Sequence, residues 1–145
     1  MKVVIQKVLE SSVRVDNKCV ASINKGLMVL VGFTHKDTID DIKYIVNKIL
    51  NLRIFEDNNN IMNLSVKDIN GEILSVSQFT LYANTLKGNR PSYIDALDKD
   101  KASILYNLFN EELEKSGINI KKGIFHADMK VSLINDGPTT IVIER

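Results

Sequence analysis

GLMVLVGF, residues 26–33, is the stretch on which the reading of the fold turns. It is far shorter than the roughly 20 apolar residues that span a bilayer. A nearly all-apolar run of this length, rich in valine, reads as a strand buried on both faces. Such a strand needs covering layers on each side, and the flanking sequence offers them. Upstream, VVIQKVL (3–9) and SSVRV (11–15) alternate or run β-branched, as one bent strand or two. Asp16–Lys18 is a turn, and CVASI (19–23) is a returning strand.

Downstream, Ile39, Ile42, Val46 and Ile49 share one helical face, with Asp37 or Thr38 able to cap the first turn. RIFED (53–57) reads as a strand, and Asn70-Gly71 as a hairpin signal feeding a long strand, EILSVSQFTLYA (72–83). A second helix spans about 99–115, with Ile104, Leu105, Leu108, Phe109 and Leu113 inward and Gly117 as its stop. INIKKGIF (118–125), ADMKVSLI (127–134) and TTIVIE (139–144) read as three more strands. The sequence therefore predicts one α+β domain over residues 1–145. Its sheet is mostly antiparallel and curled into a partly closed β-barrel, with two main helices packed outside. The terminal strand is a candidate free edge, and such an edge favours a homodimer.

Composition narrows the partners. A 44% apolar and 26% charged chain is ordinary for a globular protein. A net charge of +1 argues against gripping DNA duplex through phosphate neutralisation, though not against holding a short single-stranded end. The charged, alternating N-terminus resembles no signal or transit peptide, and no membrane segment is expected. Cys19 is the only cysteine, which fits a reducing, cytoplasmic setting; in a strand it is expected to be a small buried hydrophobe.

The usual catalytic machinery is sparse. His35 and His126 have no cysteine or carboxylate at metal-ligand spacing, so neither a metal nor a cofactor is expected. Ser77, His126 and Asp128 are the one set that could form a triad, without the glycines of a nucleophile elbow. SQFTL (77–81) stands out within its strand signal. Period two would place Ser77, Phe79 and Leu81 on one face and Gln78 and Thr80 on the other. TLKGNRPSY (85–93) is a loop able to fold over a neighbouring cleft. NDGP (135–138) is four turn formers in a row, for which a hairpin turn is the simplest reading.

Taken together, MNLS (62–65), VSQFTL (76–81), RPSY (90–93) and ADMKVSLINDGPTT (127–140) resemble the D-aminoacyl-tRNA deacylase family. The resemblance runs in order along the whole chain. It departs at Thr139, where the family usually has valine, and at Lys7, where it commonly has arginine, so that a forked contact becomes a point charge. The resemblance implies hydrolysis of the ester between a D-amino acid and the 3′-terminal adenosine of tRNA, by a homodimer. It further implies that Gly137–Pro138 is a cis peptide inserted into the partner's site, excluding L side chains by clash and leaving glycine esters cleavable. Ser77, Phe79 and Thr80 would join Gly137 and Pro138 at the reacting centre, with Gln78, Phe125, Met129 and Lys7 holding substrate. Backbone N–H groups near Phe79 and Thr80 would meet the developing oxyanion, and the ribose 2′-hydroxyl would assist. Two other readings remain open at this level: a small esterase with Thr80 as nucleophile, and a non-catalytic module that binds RNA ends.

Overall fold

The computed structural model describes residues 1–145, beginning with strands β1 (Lys2–Val15), β2 (Lys18–Ile23) and β3 (Gly26–Gly32). β1 is one strand, and it bends where surplus residues break its register. Asp16 and Asn17 take φ of 48° and 63°, the tight reversal that short polar side chains tolerate. β2 then returns antiparallel to the second half of β1, while β3 pairs with the first half. β3 is buried except at Leu30. Its alternate residues feed two cores: Leu27, Val29 and Val31 pack with the helices, and Met28 joins Val8, Val13, Leu74 and Val76 on the opposite face.

The chain continues through helix α1 (Ile39–Asn51) and a small antiparallel pair, β4 (Phe55–Glu56) and β5 (Met62–Leu64), into β6 (Glu72–Ser77). Helix α2 (Lys99–Glu114), β7 (Ile120–Lys122) and β8 (Lys130–Glu144) complete it. β3 pairs in parallel with β6, and β6 in parallel with β7. Parallel neighbours cannot be joined by a tight turn, and each of these two crossovers carries a helix. The helices pack on one another and bury the larger core. The result is a mixed sheet nearly closed into a barrel; the barrel and its two outer helices are as the sequence predicted, with two parallel pairings joining the antiparallel ones.

Local departures have local causes. Thr38, not Asp37, caps α1, in a reciprocal capping box with Asp41. Asp37 instead accepts from the Met1 amine and the Thr34 N–H. RIFED shortens to Phe55–Glu56, and Asn70 (φ 49°) makes a turn that is no hairpin, because β5 and β6 lie in different sheets. In α2, Ile104 is 60% exposed, whereas Ala102, Tyr106 and Asn110 are buried beside Phe109 and Leu113. Cys19, expected to be buried, is exposed. INIKKGIF keeps only Ile120–Lys122 as strand. The last two expected strands are a single one, β8, which runs antiparallel to β1 on the side away from β2 and β3. NDGP is thus not a hairpin turn: the chain leaves the β8 ladder there and rejoins it. The outer edge of β8 is unpaired within the chain, and Val142 on this strand is 61% exposed.

The contrast within α2 is testable. Phe109→Ala should cost about 3–5 kcal/mol as a buried ring is lost. Ile104→Ala should stay within about 0.5 kcal/mol. Urea titration of both variants checks this; similar losses would mean that the inner face of α2 is misassigned.

Candidate active site

β3 and β6 end side by side, and their carboxyl ends open a cleft of about 640 Å³. Gln78 continues the ladder by one rung, donating its N–H to the Val31 carbonyl at 2.7 Å. The backbone then turns into a 3-10 turn, Phe79–Tyr82, where the sequence predicted continued strand. Gly32 permits the close approach: a Cβ there would lie 2.8 Å from the Gln78 carbonyl oxygen. The alternation expected from Ser77 to Leu81 therefore fails beyond Ser77. The N–H groups of Phe79 and Thr80 open this turn, where no preceding carbonyl of the turn reaches them. Phe79 is 58% exposed, and its ring meets Tyr93 edge-on at 5.1 Å. The Gln78 side-chain amide donates to the Thr80 hydroxyl.

The facing wall is the segment after β7, with Phe125 and Met129 half-buried in it. One carbonyl positions it. Ser75 O accepts from Gly123 N–H and from the Tyr106 hydroxyl, each at 2.9 Å, and the Tyr106 ring packs on Phe125 at 5.7 Å. Burial pushes the Tyr106 hydroxyl pKa up, so it acts as a fixed donor. Ser77, Gln78, Phe79, Phe125 and Met129 thus line one cleft, and Thr80 adjoins it through Gln78. Ser77, His126 and Asp128 also share the cleft without forming a triad. His126, at φ 63°, has no hydrogen bond to either, and both Asp128 oxygens are bound by Lys130 at 2.7 and 2.8 Å. Tyr93, Gly32 and Lys99 were missed from the sequence; for Tyr93 the RPSY motif was the available signal.

Lys7, Gly137 and Pro138 lie elsewhere, outside the lining of their own chain's cleft. Between the pairs Gln6–Thr140 and Val8–Asn135, Lys7 alone stands opposite Asp136, Gly137, Pro138 and Thr139. Those four residues leave the ladder as a loop. Asn135 closes its base, its amide donating to the Lys7 carbonyl at 2.8 Å and the Thr139 carbonyl at 3.1 Å. The Lys7 side chain, 1% exposed, bonds both Glu56 oxygens at 2.8 and 3.1 Å and lies 3.3 Å from Asp136. Thr139 is buried, while Gly137 and Pro138 are exposed, with a cis peptide between them. A Cβ added at Gly137 would meet nothing within 4 Å.

Comparison with known proteins agrees with this architecture. Residues 4–144 match the family model described as D-Tyr-tRNA(Tyr) deacylase. A D-aminoacyl-tRNA deacylase of Flavobacterium psychrophilum is 60% identical over 99% of this chain and 97% of its own. One of Fusobacterium nucleatum is 55% identical over 99% and 95%. Among solved structures, a c-Myc DNA Unwinding Element Binding Protein superposes with a TM-score of 0.94 at 43% identity, covering 100% of this chain and 99% of that one. A probable eukaryotic D-amino acid tRNA deacylase shares the fold, with a TM-score of 0.84 at 19% identity and 98% and 97% coverage. The fold and these matches define an ester hydrolase of the aminoacyl-tRNA deacylase class. The chain belongs to the D-Tyr-tRNA(Tyr) deacylase family.

The Lys7 cluster makes stability depend on pH at both ends. Burial alone would lower the Lys7 pKa, but hydrogen bonds to Glu56 and Asp136 outweigh it and raise the value. The Lys7 hydrogen bond chiefly depresses the Glu56 pKa. The Glu56 contribution is present above its ordinary value of 4.5 and lost as pH falls through the depressed one. The Lys7 contribution is full below 10.5 and lost as pH rises through the raised value. The stability difference between wild type and Lys7→Met, measured by urea midpoint, should be largest between these limits and shrink beyond each. A difference independent of pH would show that the cluster contributes only packing.

Proposed function

We propose that the protein hydrolyses the ester linking a D-amino acid to the terminal adenosine of tRNA, and that it works as a homodimer. In this reading the Gly137–Pro138 loop of one subunit lies in the cleft of the other. The observation that carries it is the build of that loop. Lys7, Asn135 and Thr139 hold its base firmly, yet its tip faces open space, away from its own chain's cleft and beside an unpaired strand edge. A loop so anchored can present carbonyls rigidly to something outside its own subunit.

The chemistry asked of the cleft is modest, because an aminoacyl ester is already activated. Positioning and donors aimed at the developing oxyanion would suffice. The Phe79 and Thr80 N–H groups would be the donors, and the 2′-hydroxyl of the terminal ribose the substrate's own contribution. The exposed Phe79 ring would receive the terminal adenine, a stacking contact of about 1–3 kcal/mol. Phe125 and Met129 wall the cleft, and Ser77 and Gln78 shape its floor. Lys7 serves substrate indirectly, by fixing the loop. Gly137 and Pro138, close to the substrate α-carbon, leave space for hydrogen but not for an L side chain. A D side chain points to solvent, so all D-amino acids are treated alike, and glycine is cleaved as well. Rejection by clash suits a task in which side-chain identity must not matter.

Thr80 as a covalent nucleophile is the rival reading. Its hydroxyl already takes the Gln78 amide proton, and no general base is bonded to it. Deacylation of matched D- and L-aminoacyl-tRNAs, with wild type and Thr80→Ala, tests both readings. Several D-esters should be cleaved at similar rates, glycine too, and L-esters spared, with Thr80→Ala within about tenfold of wild type. Equal rates for both hands would remove the steric role of Gly137–Pro138. An acyl-Thr80 adduct seen by mass spectrometry would decide for the nucleophile.

A further inference from the structure

The cleft lining holds one strongly basic side chain, which the proposed chemistry leaves unused. Lys99, in the first turn of α2, is the only lysine or arginine among its lining residues, and it is exposed. Two nearby carboxylates, Asp98 and Asp128, are already matched. Asp98 accepts the Lys101 N–H and pairs with the Lys101 ammonium at 3.3 Å. Asp128 is held through both oxygens by Lys130. Lys99 has no such anion: its ammonium forms no ion pair with any carboxylate of the chain. An unpaired cation at the mouth of a mostly apolar cleft is placed to receive a ligand's negative charge.

We propose that Lys99 binds the phosphate on the 5′ side of the terminal nucleotide. The inference rests on the deacylase reading, which puts an adenosine ester in this cleft. Apart from an acidic amino-acid side chain, an aminoacylated adenosine has no negative charge of its own. The first anion met along the RNA is the phosphodiester joining the terminal nucleoside to the next. The wall formed by Phe79 and Tyr93 offers a ring surface, and the turn at Phe79 and Thr80 offers N–H groups; neither supplies a cation. Lys99 belongs to a different element, the first turn of α2, so base, ester and phosphate would each meet a separate element. Because a lysine reads a phosphate as a point charge, the contact would be independent of RNA sequence.

The test separates phosphate from nucleoside. Wild type, Lys99→Gln and Lys99→Arg are titrated, by NMR shift changes in the cleft, with adenosine and with the methyl ester of adenosine 5′-phosphate, which carries the single charge of a diester. Wild type should prefer the phosphate ester by about tenfold. Lys99→Gln should bind both alike, and Lys99→Arg should keep the preference. The affinity for the phosphate ester should fall with salt in wild type and depend on it less in Lys99→Gln, because one screened charge pair is lost. No preference in wild type, or one that survives Lys99→Gln with its salt dependence unchanged, would overturn the proposal. Hydrolysis of D-tyrosyl-tRNA by wild type is measured alongside. If the ester is cleaved but the phosphate preference is absent, only Lys99 is retired. If the preference is present without cleavage, the deacylase reading falls and the phosphate site stands.

Discussion

Lys7 on β1 faces four residues of β8, and the surplus has to leave the sheet. That mismatch depends on β1 and β8 being paired on both sides of it, from Lys2–Glu144 at one end to Arg14–Lys130 at the other. With both flanks locked, the extra residues cannot slip along the ladder and must loop out at one place. Each has a physical task there. Asn135 replaces lost backbone bonds with its amide, Asp136 meets the Lys7 ammonium, and Thr139 turns inward. Only Gly137 and Pro138 are left facing outward. A lysine side chain buried to 1% exposure would be costly alone, and Glu56 and Asp136 make it tolerable. Glu56 belongs to β4, so the cluster also ties the small hairpin to the main sheet.

The cleft rests on a second constraint, the parallel pairing of β3 with β6. Parallel strands end at the same side of a sheet, so Gly32 and Ser77 finish together and the backbone beyond them is free to turn. Gly32, without a Cβ, lets the Gln78 carbonyl approach, and the 3-10 turn follows at once. On the facing wall, Ser75 O gathers Gly123 and Tyr106, and through Tyr106 the Phe125 ring. The cleft is therefore bounded by backbone that secondary structure holds in place. That suits chemistry done by positioning rather than by a titrating side chain.

Much of this was legible in the sequence. GLMVLVGF announced a strand buried on both faces because no residue in it needed water, and the stripe of Ile39, Ile42, Val46 and Ile49 announced α1 because its period is helical, although Ile39, at the helix start, stays exposed. What failed were features set by distant partners. The Asn70-Gly71 signal is a true turn, but local sequence cannot say which strand follows it in which sheet. SQFTL alternates like a strand, and only its position beyond the end of β3 turns it into a 3-10 turn. NDGP carries every mark of a hairpin, yet pairing with β1 on either side makes it a loop within one strand. Ser77, Gln78, Phe79, Phe125 and Met129 do meet in one cleft, although no spacing rule joins 77–79 to 125–129. Their adjacency comes from β7 pairing with β6. Lys99 was invisible because nothing in a helix's first turn says which wall of a cleft it will line.

The central claim is that a complete site takes its cleft from one subunit and its Gly137–Pro138 loop from the other. Mixing two inactive variants tests it most directly. Ala127→Trp fills the cleft and leaves the loop intact; Gly137→Trp spoils the loop and leaves the cleft intact. Each alone should be folded and inactive on D-tyrosyl-tRNA. If the site is shared, random reassortment after mild unfolding and refolding of an equal mixture should restore about a quarter of wild-type activity, because half the dimers regain one good site of two. If cleft and loop act within one chain, every subunit in the mixture carries a defect, and activity should remain at the level of the separate variants.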